Sequence, residues 1–157
     1  MKTLKVLLTI VGIFLLDRLS KILVVNFISL NNSVSVIDGF FDLTYVKNYG
    51  AAFGMFDGMT FFIVLVSLIV FAYLIYEIRR GIHNKLITTS ICFVIGGLLG
   101  NLFDRLIYGY VIDFLDFNVF GYDFAIFNIG DSFIVIGTIM LGIGFFLEEK
   151  HGIKDKR

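Results

Sequence analysis

Four long apolar segments decide what this chain of 157 residues can fold into. A helix needs roughly 20 apolar residues to cross the hydrocarbon core of a bilayer. With a mean hydropathy of +0.92 and only 17% charged residues, the chain is far more apolar than soluble domains, which are about one quarter charged. We therefore predict an integral membrane protein. The apolar segments are Leu4 to about Ile28, Thr60–Tyr76, Leu86 to about Ile107 and Phe133–Leu147.

The predicted fold class is an all-α membrane protein, a bundle of four transmembrane helices in a single domain over 1–157. The last span reaches full length only when Asp131 and Ser132 belong to its first turn. The N-terminus has lysines before its apolar segment but lacks a small-residue cleavage site, so we expect an uncleaved first span. The spans are expected at about 4–28, 60–78, 86–107 and 131–148.

Basic residues predict the orientation. They cluster at the N-terminus, in the short loop after the second span and in the tail, which places both termini and the 79–85 loop in the cytoplasm. The connecting segments at about 29–59 and 108–130 then lie on the outer side. The basic residues in question are Lys2, Lys5, Arg79, Arg80, Lys85, Lys150, Lys154, Lys156 and Arg157.

The first outer segment has features of its own. SVSVIDGFFDLTYV alternates apolar and polar residues around a turn signal at Asp38-Gly39, which predicts short strands in a small extracytoplasmic β-cradle. GAAFGMF then predicts a short interfacial helix or flap. A second aromatic stretch, FLDFNVFGYDFAIF, is expected on the same surface, although aromatic residues also form belts at membrane interfaces without any other role.

Polar residues from three predicted spans reach one depth. At 1.5 Å per residue, Asp17 lies roughly 20 Å along the first span, Asn101 to Arg105 roughly 22 to 28 Å along the third, and Asp131 roughly 24 Å back along the fourth. Ionisable residues inside a membrane are costly and usually mark a site facing the bundle interior. This convergence near the outer boundary predicts a functional site.

Structural explanations compete for several of these residues. Asp17 and Lys21 are spaced i, i+4 and could form an ion pair that only fastens the first span, which is the interpretation we favour for them. In GGLLGNLFDR, the pair Gly96 and Gly100 lets a neighbouring helix approach closely. This stretch could therefore serve only in helix packing, with polar residues at its end. Alternatively, Asn101 and an Asp104–Arg105 pair could orient groups at the mouth of a site.

Asp113 and Asp131 suggest a specific chemistry. They lie just after the third span and just before the fourth, so one short connection can bring them together. Two carboxyl groups held close in a poorly hydrated place cannot both ionise, so one keeps a proton while the other can activate water, as in aspartic proteases. The alternatives are a helix N-cap for Asp131 and an exposed loop acid for Asp113.

Other chemistries have less support in the sequence. The two histidines, His83 and His151, fall on the predicted cytoplasmic side, which disfavours a catalytic triad or a histidine-bound metal at the outer site. Net charge is zero, so no basic tract recommends nucleic acid as a partner. The lone Cys92 lies in an apolar stretch, where a thiol behaves as a small hydrophobe. We expect no metal and no cofactor.

Five ordered motifs resemble the lipoprotein signal peptidases, the type II signal peptidases of bacteria, along essentially the whole chain. Each motif alone is weak, but their order across the four predicted spans is specific. Gly130 is a departure, because the family most often has alanine there, and we expect glycine to loosen the backbone at the helix start. The motifs are DRLSK (17–21), NYGAAFG (48–54), GGLLGNLFDR (96–105), VIDF (111–114) and FNIGDS (127–132).

The resemblance implies an aspartic endopeptidase with Asp113 and Asp131 as its catalytic dyad. Its substrates would be diacylglyceryl-modified prolipoproteins, cut before the lipidated cysteine at the outer face of the bacterial cytoplasmic membrane. It also implies membrane lipid as a partner, inhibition by globomycin-type cyclic peptides, and a monomer. The residues that would shape the site and hold substrate are Asp17, Lys21, Asn48, Gly50, Asn101, Asp104, Arg105 and Asn128.

Three rival functions make different predictions. A small transporter or proton channel needs polar residues through the full membrane thickness, whereas stretches such as ICFVI and IMLGIGFFL carry none. A non-catalytic scaffold leaves the order of the five motifs unexplained. Presenilin-like proteases use G-x-G-D, and here Asn128 stands where the first of those glycines would be.

Overall fold

The computed structural model describes residues 2–50, 55–56, 58–81 and 84–154. Within these residues the chain forms long helices and one small antiparallel sheet, which confirms a mostly helical fold with an attached sheet. The helices are α1 (Lys2–Phe27), α2 (Thr60–Arg80), α3 (Lys85–Tyr108) and α4 (Ile129–Lys154), and the strands are β1 (Ser33–Ile37), β2 (Phe41–Asn48), β3 (Val111–Val119) and β4 (Tyr122–Asp123).

Of the described helices, three are long and apolar enough to cross a membrane: α2, α3 and Ile129–Lys150 of α4. The fourth, α1, is 26 residues long but carries charged residues at Asp17, Arg18 and Lys21. A count of four membrane helices therefore does not follow from length and composition alone.

The most buried helix, α3, lies at the centre of the bundle and packs against α1, α2 and α4. The C-terminal end of α3 is fixed by Gly109, which takes a left-handed φ of 81° and donates its N–H to Arg105 O at 3.1 Å. The side chains of Ile10, Leu74, Ile87, Ile91 and Ile95 form an apolar core around it. This core positions the polar end of α3 beside α1 and α4.

Glycines allow α3 to approach its neighbours closely. A Cβ added at Gly96 would lie 2.7 Å from Ile13 Cβ of α1, and one at Gly100 would collide with the Asp17 carboxylate. The predicted close approach at Gly96 and Gly100 is thus confirmed. On the other side, a Cβ at Gly130 would lie 2.9 Å from the carbonyl oxygen of Gly97. Gly130 therefore sits in a tight α3–α4 contact, where the lack of a side chain permits close packing.

The sheet has the order β1-β2-β3-β4. The hairpin of β1 and β2 turns at Asp38-Gly39, with Gly39 at a φ of +70°, so the strands and turn expected there are confirmed. The strand β3 was not expected from the sequence; it pairs antiparallel with β2 and places Asp113 opposite Val46. The predicted helix or flap in GAAFGMF falls largely on 51–54, which lie outside the described residues.

Two features dock the sheet onto the helix ends. Val24 and Ile28, at the end of α1 and just after it, form an apolar cluster with Tyr45, Ile112 and Phe114 of the strands. Phe127, immediately before Asn128 and α4, exchanges backbone hydrogen bonds with Leu115 of β3 at 2.8 and 3.1 Å. These bonds bring the start of α4 beside β3.

Candidate active site

Asp113 is a buried carboxyl group held by two amides. Its side chain projects from β3 and the residue is 1% exposed. Asn48 Nδ2 donates to Oδ2 at 2.9 Å and Asn128 Nδ2 donates to Oδ1 at 2.6 Å. Asp113 is therefore no exposed loop acid, because a central strand of the sheet holds it inside the protein.

Asp131 lies in the first turn of α4 and is tied to Asn128. The backbone N–H of Asn128 donates to Asp131 Oδ2 at 3.1 Å, and the backbone N–H of Asp131 donates to Asn128 Oδ1 at 2.9 Å. This reciprocal arrangement resembles a capping box, with Asn128 in the capping position. Asp131 is thus not the N-cap that one interpretation of the sequence expected, and its carboxylate lies near the positive end of the helix dipole.

Two asparagines join the carboxyl groups into one network. Asn128 Nδ2 donates to Asp113 and also to Asn101 Oδ1, the latter at 3.1 Å. Asn101 Nδ2 in turn donates to Asp131 Oδ1 at 2.7 Å. Two N–H donors therefore bind each carboxyl group, and they fix which way its oxygen atoms point. A network with its polar atoms paired is rigid and orients the acids.

Beneath this network lies a cluster of buried charges. Lys21 Nζ is 2.8 Å from Asp17 Oδ2, 2.8 Å from Asp104 Oδ2 and 2.9 Å from Asn101 Oδ1. Arg18 forms an ion pair with the other oxygen of Asp104. Lys21, Asp17 and Asp104 are all 0% exposed. Since Lys21 holds the oxygen of Asn101, it turns the donor end of that amide towards Asp131.

Asp17 also reaches α4 directly. Its Oδ1 accepts the backbone N–H of Gly130 at 2.8 Å, one residue before Asp131. A buried anion at this point satisfies an otherwise unpaired donor of the first helical turn. The Asp17–Lys21 ion pair expected on α1 is present, but it is buried and connects α1 to α3 and α4.

Arg105 takes a different partner from the one expected. Adjacent residues of a helix do not face each other, and Asp104 instead pairs with Arg18 and Lys21. The guanidinium Nη2 of Arg105 donates to the carbonyl oxygen of Gly50 at 2.7 Å, while the Gly50 N–H donates to Asn48 Oδ1 at 2.9 Å. Arg105 and Asn48 therefore both hold the chain at Gly50.

The surroundings of Asp113 favour its protonated form. Burial, and after it the negative charge of Asp131, raise the pKa of Asp113 to about 6, although the amides of Asn48 and Asn128 and the charge of Lys21 act in the opposite direction. A carboxyl group with this pKa exchanges its proton near neutral pH. The arrangement can therefore supply an acid and a base side by side.

The structure brings all the residues singled out in the sequence into one polar cluster. It adds Arg18, which was not among the site residues predicted from the sequence. Arg18 neutralises Asp104, and its guanidinium lies 4.7 Å from the centre of the Phe103 ring. The sequence offered one indication of this role for Arg18, namely its position directly after Asp17 on the first predicted span. Across the described part of the chain, no group of three or more histidine, cysteine or acidic side chains is arranged to hold a metal ion.

Comparisons with known proteins agree with this arrangement. The family model described as signal peptidase (SPase) II matches residues 9–147. The lipoprotein signal peptidase of Caldanaerobacter subterraneus subsp. tengcongensis is 42% identical over 88% of this chain and 92% of its own length. That of Staphylococcus aureus is 37% identical over 93% and 90% of the two chains.

Solved structures agree as well. One bacterial membrane enzyme, determined by the in meso method at 2.3 Å, is 32% identical and has a TM-score of 0.88, covering 94% of this chain and 90% of that one. A second, at 1.9 Å, is 34% identical with a TM-score of 0.82. The membrane-length helices and these likenesses together indicate a bacterial membrane protein. The chain belongs to the signal peptidase II family, whose members are proteases that process lipoproteins.

Proposed function

We propose that this protein is an aspartic endopeptidase that removes the signal peptide from diacylglyceryl-modified prolipoproteins, cutting before the lipidated cysteine. The observation that carries the proposal is the pair of acids, Asp113 and Asp131, which Asn128 joins through hydrogen bonds to both. Family membership supplies the substrate class. The buried acids supply a chemistry for hydrolysis that needs no cofactor.

In the first step, Asp113 holds the proton and Asp131 is the base. Burial raises the pKa of Asp113 to about 6, so this carboxyl group can hold the proton that the step requires. A water molecule between the carboxyl groups gives a proton to Asp131 as its oxygen attacks the scissile carbonyl carbon, and Asp113 gives its proton to the carbonyl oxygen. The product is a neutral tetrahedral diol.

In the second step, the diol collapses. Asp131 gives its proton to the departing nitrogen as the C–N bond breaks, and a hydroxyl of the diol returns its proton to Asp113. The new carboxyl group stays on the signal peptide and the new amine on the lipidated cysteine. Both aspartates regain their starting protonation states, so one water molecule is consumed for each bond cut.

The membrane arrangement that we propose has four spans, because α1 also crosses the membrane beside α2, α3 and α4. The charged residues of α1 count against a membrane span by composition, but in the structure they are buried and paired inside the bundle. Its exposed side is apolar, as a lipid-facing surface requires. Six of its exposed residues are Leu7, Leu8, Val11, Leu15, Leu19 and Leu23. Together with the outer segments the spans form one domain over 1–157.

The distribution of basic residues supports an orientation with both termini in the cytoplasm and the acids near the outer face. In this orientation the sheet lies outside, and a diacylglyceryl substrate can enter from the lipid with its acyl chains still in hydrocarbon. Its scissile bond then reaches the level of Asp113 and Asp131. We propose that the enzyme acts as a monomer and that globomycin-type cyclic peptides block the same acids.

Purified protein in lipid nanodiscs is expected to cleave a diacylglyceryl-modified prolipoprotein, with the mature product beginning at the lipidated cysteine. Mass spectrometry of both products checks the position of the cut. The matched control is the same prolipoprotein without its diacylglyceryl group. It should be cut at least about tenfold more slowly, because no lipid then anchors the substrate and positions its scissile bond at the acids. Equal rates on both substrates would contradict the proposed specificity.

Replacing Asn128 with alanine is expected to lower kcat about 10- to 100-fold, because one amide positions both acids and general acid–base catalysis depends on their geometry. The measurement is kcat on the lipidated prolipoprotein. Asn118→Ala is the matched control, since Asn118 lies at the far end of β3 and its side chain hydrogen-bonds Asp123 and the Gly121 N–H, away from the acids. Unchanged kcat in Asn128→Ala would remove the positioning role.

A further inference from the structure

A groove lies at the end of the bundle opposite the acids. It is a cavity of about 440 Å³ between the first turns of α1 and those of α3. Lys5 of α1 and Lys85 of α3 line it from opposite sides, and both lysines are exposed. Lys5 lies twelve residues before Asp17 on the same helix, so by the helical rise the groove is roughly 18 Å from the ion cluster.

In the part of the chain that the structure describes, neither lysine forms an ion pair. Among the described residues, the ion pairs join Arg18, Lys21 and Arg80 to acidic partners and include neither Lys5 nor Lys85. Two like charges facing one cavity repel each other, and a bound anion between them relieves that repulsion. Basic pockets between membrane helices on the cytoplasmic side are a known form of anionic lipid site.

The hydroxyl groups of the groove narrow the choice of anion. Thr9, Thr88 and Thr89 line the cavity, and each Oγ1 donates its hydrogen to a backbone carbonyl one turn earlier, at 2.9 Å. With its hydrogen donated in this way, each hydroxyl oxygen can still accept a hydrogen bond from a ligand in the groove. A ligand that suits both features carries a negative charge for the lysines and hydroxyl donors for the threonines.

The groove also has an apolar wall. Val6 of α1 and the buried Cys92 of α3 lie deeper along the two helices than the lysines. Such a wall suits an acyl chain that runs from a charged headgroup towards the membrane interior. A soluble anion would leave this wall without a partner.

We propose that the groove binds one anionic phospholipid with a hydroxylated headgroup, of the phosphatidylglycerol type. Its phosphodiester lies between Lys5 and Lys85, its headgroup hydroxyls donate to the threonines, and one acyl chain covers Val6 and Cys92. In the proposed orientation this lipid belongs to the cytoplasmic leaflet. The site is separate from the proposed catalytic acids and does not depend on their role.

Native mass spectrometry of the full-length protein in detergent, titrated with phosphatidylglycerol, tests the proposal. The double variant Lys5→Gln/Lys85→Gln is expected to weaken binding of the first lipid about 25-fold, from about fivefold for each lysine near a lipid phosphate. The matched control, Arg79→Gln/Lys150→Gln, removes two exposed charges from the same end outside the groove and should stay within about twofold of the parent protein. Equal losses in both double variants would overturn the site.

Further variants and lipids separate the parts of the site. Thr9→Phe keeps both lysines but fills the groove, so it should also lose the bound lipid, and retention would overturn the groove as the binding place. Phosphatidylcholine should bind at the level of the lysine variant, and phosphatidylmethanol, which has the charge without headgroup hydroxyls, between that level and phosphatidylglycerol. Equal binding of phosphatidylmethanol and phosphatidylglycerol would contradict the role of the threonines.

A last arm distinguishes a lipid from a free headgroup. Glycerol 1-phosphate at millimolar concentration should fail to displace the bound phosphatidylglycerol, because it cannot cover the apolar wall. Displacement at that concentration would show a site for the headgroup alone and overturn the lipid assignment. The melting temperature of every variant checks that lost binding does not reflect lost folding.

Discussion

Replacing either Asp113 or Asp131 with asparagine is expected to lower turnover of a diacylglyceryl-modified prolipoprotein by about 10³-fold, within the 10²- to 10⁴-fold range of acid–base catalysis. An amide keeps the size of the side chain but can neither take a proton from water nor give one to the carbonyl oxygen. Single-turnover cleavage in nanodiscs measures the loss.

Asp116→Asn is the matched control for these variants. Asp116 lies on the same strand as Asp113 and accepts a hydrogen bond from Thr44 at 2.6 Å. It does not belong to the asparagine network, so this variant should stay within about twofold of the parent rate. Because Asn48 and Asn128 would each face a new amide in Asp113→Asn, its melting temperature must be measured alongside. Full activity in either Asp113→Asn or Asp131→Asn would contradict the proposed mechanism.

Replacing Lys21 with methionine is expected to destabilise the protein by about 3–5 kcal/mol, because it leaves Asp17 without its buried cation and Asp104 with Arg18 alone. For a chain of this size the apparent melting temperature in detergent should fall by on the order of 10 °C. Activity should fall too, since Asn101 loses the cation that orients it towards Asp131.

Two further variants test whether the loss of stability in Lys21→Met comes from its buried ion pair. Lys150→Met removes an exposed lysine near the end of α4 and should change the melting temperature by less than about 2 °C. The double variant Asp17→Asn/Lys21→Met removes both charges of one pair and should be more stable than the sum of its single variants predicts. Strict additivity of the two changes would show that the pair contributes no coupling energy.

Much of the fold follows from the sequence because membrane-scale apolar segments leave few alternatives. The helices α1 to α4 cover the four apolar segments of the sequence, and the Asp38-Gly39 turn signal lies in the first hairpin. The strand β3 is not predicted from the sequence, because its residues begin close to the end of α3 and fall within the expected outer connection at about 108–130. Its pairing with β2 is a long-range contact, which local pattern cannot reveal.

For the site, depth counting along the helices brought Asp17, Asn101 and Asp131 together, and the structure places them in one cluster. The ion-pair and hydrogen-bond partners of the site residues were less predictable. Asp104 and Arg105 are adjacent in sequence, yet their side chains leave the helix in different directions and reach α1 and Gly50 respectively. The tight contact of Gly130 with Gly97 likewise depends on how α3 and α4 cross, which no single segment encodes.

The pH dependence of kcat/KM tests most directly whether Asp113 and Asp131 share one proton. With the pKa of Asp113 raised to about 6, the proposed acid loses its proton above that pH, and kcat/KM should then fall towards tenfold per pH unit on the alkaline side. At low pH the second carboxyl group takes up a proton and the base is lost, so the rate falls again. We expect a bell-shaped profile for the wild-type protein on the lipidated prolipoprotein. A rate that rises steadily with pH and reaches a plateau would show a single ionised base and contradict the dyad.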